Sequence, residues 1–208
     1  MRVWIFDLDD TLHNASAHIF PEMNGAMTEY IKASLNLDQD TADQLRKHYW
    51  KIYGATLKGL MRHHGTNPHH FLNETHKFPD LAERVIQTKR LRHTLTRLKG
   101  RKVIFTNAPR IYALRVLDIL GISDLFELVF SVESSGFHAK PTMRGFQTLL
   151  RSIKAKPIDC IMLEDNLAAL MTAKRIGIKT VWISRQLSKP NFVDYRLSSV
   201  SALAHLRL

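Results

Sequence analysis

Only one cysteine, Cys160, occurs in the 208 residues, so no internal disulfide can staple the chain. It lies in an apolar run, as a buried structural thiol of a reducing compartment would. No apolar stretch approaches the roughly 20 residues that a membrane-spanning helix needs. The start also lacks the basic and then apolar regions of a secretion signal, because Met1-Arg2 runs at once into Val3-Trp4-Ile5-Phe6 and then into acids. These absences predict a cytoplasmic protein with no membrane association. Internal repeats and low-complexity linkers are missing too. The length suits one domain, or a compact domain carrying a smaller insertion. Apolar residues make up 45% of the chain, enough for a packed core and too many for a disordered one.

Acids are outnumbered, 19 against 30 lysines and arginines, for a net charge of +11. A chain this basic attracts anions, whether small phosphates, nucleic acid or an acidic protein. From Arg84 to Lys102 there are eight basic residues and no acid: Arg84, Lys89, Arg90, Arg92, Arg97, Lys99, Arg101 and Lys102. Leu91, Leu95 and Leu98 recur through it at helical spacing, which predicts a surface helix with a basic polar face. The alternative is a docking face for RNA or an acidic partner, without base specificity. The stretch has no Phe, Tyr or Trp, which argues against a platform for stacking single-stranded bases.

Short apolar runs punctuate the chain at Val3–Phe6, Val103–Phe105, Leu128–Ser131, Ile161–Leu163 and Val181–Ile183. Runs this short, without polar alternation, read as strands buried on both faces in a parallel sheet. Helical patterns follow them. Ile111, Leu114, Leu117 and Leu120 precede a stop at Gly121, and Leu167–Ile176 precedes Gly177. Strand–helix alternation of this kind predicts right-handed βαβ units and an α/β fold, a Rossmann-like parallel sheet. Residues 15–90 break the rhythm. Stretches such as Glu29–Leu35 and Ala42–Trp50 are helical and no strand stands out. The expected organisation is a core of residues 1–14 and 91–208 with a small helical cap, residues 15–90, inserted after the first strand.

Asp7-Leu8-Asp9-Asp10-Thr11 closes the first apolar run. Side chains alternate along a strand, so Asp7 and Asp9 point one way and Leu8 the other. In a parallel sheet this is the carboxyl edge, where ligands bind. Two carboxylates held close repel unless a cation sits between them, and a hard divalent ion such as Mg²⁺ suits them. Alone, Asp-Asp-Thr would read as a helix cap or a turn. Directly after a buried strand, chemistry is the better reading.

With Phe105-Thr106-Asn107-Ala108, Lys140-Pro141 and Leu163-Glu164-Asp165-Asn166 following in order, the chain resembles the haloacid dehalogenase superfamily of hydrolases. Each motif alone has a bland account: a cap at Thr106, a solvated loop lysine at Lys140, an exposed turn at Glu164-Asp165. Their order and their placement at strand ends carry the likeness. Within the superfamily, Tyr53–Leu60, His64-Gly65, Phe71-Leu72, His76 and Thr180–Ile183 are similar to the pyrimidine 5′-nucleotidase-like branch.

The resemblance implies a Mg²⁺-dependent phosphomonoester hydrolase. Asp7 would attack phosphorus to form an aspartyl-phosphate. Asp9 would protonate the leaving oxygen and then deprotonate the attacking water. Thr106 and the Asn107 amide would bind phosphate oxygens, and Lys140 would neutralise Asp7 and the phosphoryl group. The metal would be held by Asp7, Asp165 and the backbone carbonyl of Asp9, with Glu164 supporting by hydrogen bonds. An acid at position 9 favours phosphatase over dehalogenase chemistry, which has no leaving oxygen to protonate. Ala169 departs from relatives that carry a further acidic or polar group there.

His63-His64 and His69-His70 suggest metal ligands, but adjacent helical residues diverge, and Gly65, Asn67 and Pro68 place a loop between the pairs. No Cys-x-x-Cys accompanies them, so a zinc site is not expected. Tyr49, Trp50 and Tyr53 share a helix surface. Trp50 is expected in the core of the insertion. Tyr53 either packs there or, as the branch resemblance implies, faces the substrate, where a ring could stack on a base. The expected partner is therefore a small phosphorylated molecule, first a nucleoside monophosphate of the pyrimidine series. The alternatives are a sugar phosphate, pyridoxal phosphate, or an RNA or acidic-protein partner with phosphatase activity secondary.

Overall fold

The structure is a computed structural model and describes residues 1–86 and 90–205. In chain order the elements are β1 (Val3–Phe6), α1 (Phe20–Leu35), α2 (Gln39–Tyr53), α3 (Thr56–His64), α4 (Pro68–Thr75), α5 (Leu81–Arg84), α6 (Leu91–Arg97), β2 (Arg101–Phe105), α7 (Arg110–Ile119), β3 (Leu128–Phe130), α8 (Met143–Ser152), β4 (Cys160–Glu164), α9 (Leu167–Arg175), β5 (Lys179–Ile183) and β6 (Tyr195–Leu197). The chain divides into two compact units, Met1–Ala15 with Val85–Leu208, and Ser16–Arg84.

The first unit is built on a six-stranded sheet of order β3-β2-β1-β4-β5-β6, every neighbouring pair parallel. β1 lies between β2 and β4, and all four of its residues are buried, as a strand covered by helices on both faces must be. Burying each such side chain contributes about 1.5–3 kcal/mol, which is why four residues suffice to hold the strand. Val3 and Ile5 join Val103, Phe105, Phe146, Leu149, Cys160 and Met162 in one apolar cluster. Ala169 lies in that cluster too, so position 169 is core. Cys160 is buried, and burial pushes its thiol up to about 11.

The five expected strands are present, most of them a residue or two longer or shorter. β6 adds a sixth, whose half-buried Tyr-Arg-Leu carries no apolar run to announce it. The helix after β2 forms, but its inward face differs from the one expected. Leu117 and Leu120 are buried as expected, but Ile111 is 75% exposed, and Tyr112, Ala113 and Val116 complete the face toward the core. Gly121 and Gly177 end their helices at φ +64° and +90°, a region glycine enters without a steric penalty.

The second unit is helical throughout. Arg46 ties α2 to α1, donating to Asn24 Oδ1 at 2.8 Å and Thr28 Oγ1 at 3.0 Å while pairing with Asp43 at 2.7 Å. Asp38 caps α2 by accepting the Thr41 amide, and Asn67 caps α4 by accepting the His70 amide. Trp50, expected inside, is 63% exposed, and Tyr49 takes the buried position beside it. Gly59 allows the close approach of α3 to α2, since a Cβ there would come within 2.2 Å of Tyr49 Cγ.

The basic run is not one helix. α5 ends at Arg84, α6 covers Leu91–Arg97, and Arg101 already belongs to β2. Lys89 lies outside the described residues. Arg84 pairs with Asp80 and Glu22, Arg92 with Asp124, and Arg101 with Glu127, so three of the charges are spent inside their own units. Among the described residues no helix is long and apolar enough to cross a membrane.

Candidate active site

Parallel pairing brings the ends of β1, β2 and β4 to one edge. The Asp7 amide extends the β1–β4 ladder by donating to the Leu163 carbonyl at 3.0 Å, which sets Asp7 beside Glu164. From there the chain turns sharply. Asp10 adopts φ 59°, a conformation short polar residues tolerate, and the Leu12 amide donates to the Leu8 carbonyl at 2.9 Å. The turn sends Thr11 and His13 back toward the strand end. Thr11 Oγ1 donates to Asp7 Oδ2 at 3.3 Å, and His13 Nε2 lies 3.0 Å from Asp9 Oδ1.

Lys140 organises the edge. Its buried Nζ donates to Asp7 Oδ1 at 2.6 Å and to Glu164 Oε2 at 2.7 Å, and lies 5.3 Å from the centre of the Phe105 ring. Asn107 holds the loop that supplies it. The Asn107 Nδ2 donates to the Lys140 carbonyl at 3.0 Å, while the Lys140 amide donates to Asn107 Oδ1 at 2.7 Å. Thr106 is buried, and its Oγ1 accepts the Ala108 amide at 3.0 Å, so its hydroxyl proton remains for another acceptor. Asp165 is steadied from β5, whose Trp182 indole donates to the Asp165 carbonyl at 2.8 Å.

Burial drives the electrostatics. It lifts the Asp7 carboxyl to about 7, with Glu164 adding repulsion and Lys140 opposing. It lifts Glu164 to about 7 and Asp165 to about 6, the latter helped by the Asp7 charge. For Lys140, burial works toward the neutral form, but the Asp7 and Glu164 charges outweigh it and hold the ammonium above its ordinary range. One ammonium thus faces three carboxylates, and the set carries surplus negative charge in a poorly hydrated place.

Ligand oxygens of Asp7, Glu164 and Asp165 lie within 4.8 Å of one another, a hard donor set that could hold a divalent cation. Both Glu164 oxygens already accept, Oε2 from Lys140 and Oε1 from the Asn166 amide at 3.1 Å. Both Asp7 oxygens accept as well, from Lys140 and from Thr11, so all three carboxylates stay candidates for an ion. The Asp9 carboxylate is not in the set. It is turned toward His13 and toward Tyr112, whose hydroxyl donates to Asp9 Oδ1 at 2.7 Å. Burial and the Asp9 charge raise the Tyr112 phenol, which keeps it a donor.

Tyr53 belongs to the helical unit. It pairs with His63 Nε2 at 2.6 Å, and the Arg62 guanidinium sits 5.9 Å from its ring centre. Tyr49 hydrogen-bonds His64 Nε2 at 2.8 Å and stacks on His63. His63 and His64 are therefore occupied with tyrosines. Sequence reasoning missed His13 and Tyr112. His13 had a signal, lying four residues after Asp9, whereas Tyr112 had none short of the folded sheet.

A model of the haloacid dehalogenase-like hydrolases matches residues 1–177. The chain belongs to that family. It is 26% identical to phosphate metabolism protein 8 of Saccharomyces cerevisiae over 85% of this chain, and it spans 60% of that protein's length. It is 27% identical to the glyceraldehyde 3-phosphate phosphatase of Pyrococcus furiosus, across 98% of this chain and 91% of that one. Among solved structures, a HAD phosphatase from Thermococcus onnurineus superposes with a TM-score of 0.66 at 18% identity, covering 99% of this chain and 97% of the other. The L-2-haloacid dehalogenase of Xanthobacter autotrophicus does so with a TM-score of 0.62 at 12% identity, covering 99% and 97%. Identities this low establish the shared fold of a haloacid dehalogenase-like hydrolase. These relatives do not single out the pyrimidine 5′-nucleotidase branch.

Proposed function

We propose that this hydrolase is a cytoplasmic, Mg²⁺-dependent phosphatase of small phosphomonoesters that works through an aspartyl-phosphate on Asp7. The observation that carries the reading is the Lys140 ammonium, buried and hydrogen-bonded to both Asp7 and Glu164. A buried lysine between two carboxylates is costly to assemble, and its use is to hold a charge ready where a dianionic group will react. Asp7 attacks phosphorus, and Lys140 offsets the charge gathering on the nucleophile and the phosphoryl oxygens. The Thr106 hydroxyl and the Asn107 amide bind those oxygens. Asp9 delivers a proton to the leaving oxygen and later takes one from water. Asp7, Asp165 and the Asp9 carbonyl would hold Mg²⁺, which when bound neutralises the surplus carboxylate charge and orients the phosphate.

For substrate, the signature around Tyr53 favours pyrimidine nucleoside monophosphates, with residues of the helical unit as the selecting cap and Tyr53 against the base. A second reading, a sugar or triose phosphate, is favoured by the named activity of the Pyrococcus relative. Phosphate release distinguishes them when measured on UMP, CMP, dTMP, purine monophosphates, glyceraldehyde 3-phosphate, other sugar phosphates and pyridoxal phosphate. Each is run with Mg²⁺, with EDTA and with Asp7→Asn. Metal-dependent turnover that peaks on pyrimidine nucleotides and vanishes in the variant is the expected result. A peak on a triose or sugar phosphate transfers the substrate to the second reading. Turnover that survives Asp7→Asn overturns the mechanism.

A further inference from the structure

We propose that Tyr112 and His13 are positioning residues that hold Asp9 by one oxygen and reserve the other for proton transfer. The inference rests on the acid/base role proposed for Asp9. Both groups converge on the same atom: the Tyr112 hydroxyl is 2.7 Å from Oδ1 and His13 Nε2 is 3.0 Å from it. Among the described residues no donor reaches Oδ2. Tyr112 and His13 are 2% and 3% exposed, so water does not compete for either contact, while the Asp9 side chain keeps 13% of its surface open.

A carboxylate oxygen only accepts, so the His13 proton sits on Nε2 and the ring acts as a donor. His13 Nδ1 is buried with no hydrogen-bond partner among the described residues. With two donors aimed at Oδ1, an acid proton on that oxygen would meet them head-on. It belongs on Oδ2.

The chemistry then has a fixed direction. Asp7 forms its bond to phosphorus, and the bond from phosphorus to the ester oxygen breaks with the electron pair left on that oxygen. The ester oxygen takes the proton from Oδ2, and Asp9 is left as a carboxylate whose Oδ1 is already met by two donors. In the second step the same Oδ2 takes a proton from the water whose oxygen attacks phosphorus, the bond from phosphorus to Asp7 breaks with its electron pair returning to the carboxylate, and inorganic phosphate leaves. Because Oδ1 is pinned in both states, the side chain need not turn between them.

The test is a split between leaving groups. A nitrophenolate departs without help, whereas an alkoxide needs the proton. The constant kcat/KM reports the steps up to departure of the leaving oxygen, so the later hydrolysis shared by all esters does not enter. Tyr112→Phe is expected to lower kcat/KM on an alkyl phosphomonoester by about 10- to 100-fold, part of what general acid catalysis supplies, and to change p-nitrophenyl phosphate by less than about 3-fold. His13→Leu should show the same split. His13→Gln, which keeps an N–H donor at the same reach, should largely abolish it. Equal losses on both esters, or no loss on either, overturn the inference. Asp9→Asn separates the two levels. If it spares the alkyl ester, the acid/base reading falls and takes this one with it. If it abolishes alkyl-ester turnover while Tyr112→Phe and His13→Leu do nothing, the acid/base reading stands and the positioning role is overturned.

Discussion

Ion pairs in the helical unit and ion pairs at the sheet edge are built on opposite plans. In the helical unit Lys32 meets Glu29, Lys47 meets Asp43 and Lys77 meets Glu74, each within one turn of a helix and each on largely exposed side chains. Residues three or four apart on a helix are neighbours whatever the fold, so these pairs are written locally. Their partners lower the Asp43 carboxyl to about 2 through hydrogen bonds from Lys47 and Arg46, and water and salt dilute what the pairs contribute. At the sheet edge Lys140 meets Asp7 and Glu164 from 133 and 24 residues away, all three buried. There burial pushes Asp7 and Glu164 the other way, to about 7. The same two charge types thus make quiet surface pairs in one place and a loaded site in the other, and the fold makes the difference.

Breaking the buried set should have the largest effect. Lys140→Met is expected to cut turnover by about 10²- to 10³-fold, since it removes fixed charge from the reacting group. It also leaves buried carboxylates without their ammonium, at a cost of about 3–5 kcal/mol of stability, read as a lower Tm in thermal unfolding. A variant with full activity would make Lys140 a structural residue only.

The contrast is sharpened by pH. In EDTA, Asp7, Glu164 and Asp165 take up protons near pH 6–7 in the folded chain, above the range of the unfolded one. Between about pH 4 and 7 the folded state therefore binds more protons, and stability falls as pH rises through that window. Lys140, raised, acts only at far higher pH, and the depressed carboxyls of the helical unit act below about pH 4. The expected result is a lower Tm at pH 8 than at pH 5 in EDTA, with Mg²⁺ restoring it at pH 8. A Tm that rises across that window would contradict the surplus of buried negative charge.

The smallest expected effect tests packing in the helical unit, away from the chemistry. Gly59→Ala drives a methyl into Tyr49 and should cost about 1–3 kcal/mol, measured by denaturant unfolding. Little change would mean that α2 and α3 part without penalty.

Much of the α/β unit was legible because each core strand holds a continuous apolar run, and Asp7, Thr106 and Glu164-Asp165 lie at the ends of such runs while Lys140 lies in the loop between β3 and α8. Asp7, Thr106, Lys140 and Glu164-Asp165 were named through the family resemblance, and Lys140 does hydrogen-bond both Asp7 and Glu164. β6 could not be named, because its three residues are half-buried and read as polar. Ile111 misled because a leucine-like spacing fits two faces of a short helix, and only the sheet chooses between them. Trp50 misled because hydrophobicity predicts burial only on average, and Tyr49 fills the space. The grip of Tyr112 on Asp9 joins residues 103 positions apart, a contact that no local pattern announces.

The placement of β1 between β2 and β4 has a consequence for how the chain is made. Val3-Trp4-Ile5-Phe6 leaves the ribosome well before its hydrogen-bonding neighbours, residues 101–104 and 160–163. At about 5–20 residues per second, roughly 5–20 s pass before the first of those neighbours is synthesised. For that interval a fully apolar tetrad lacks its sheet neighbours, which makes this segment of the nascent chain a natural client for a chaperone and a point at which crowded expression would turn to aggregation.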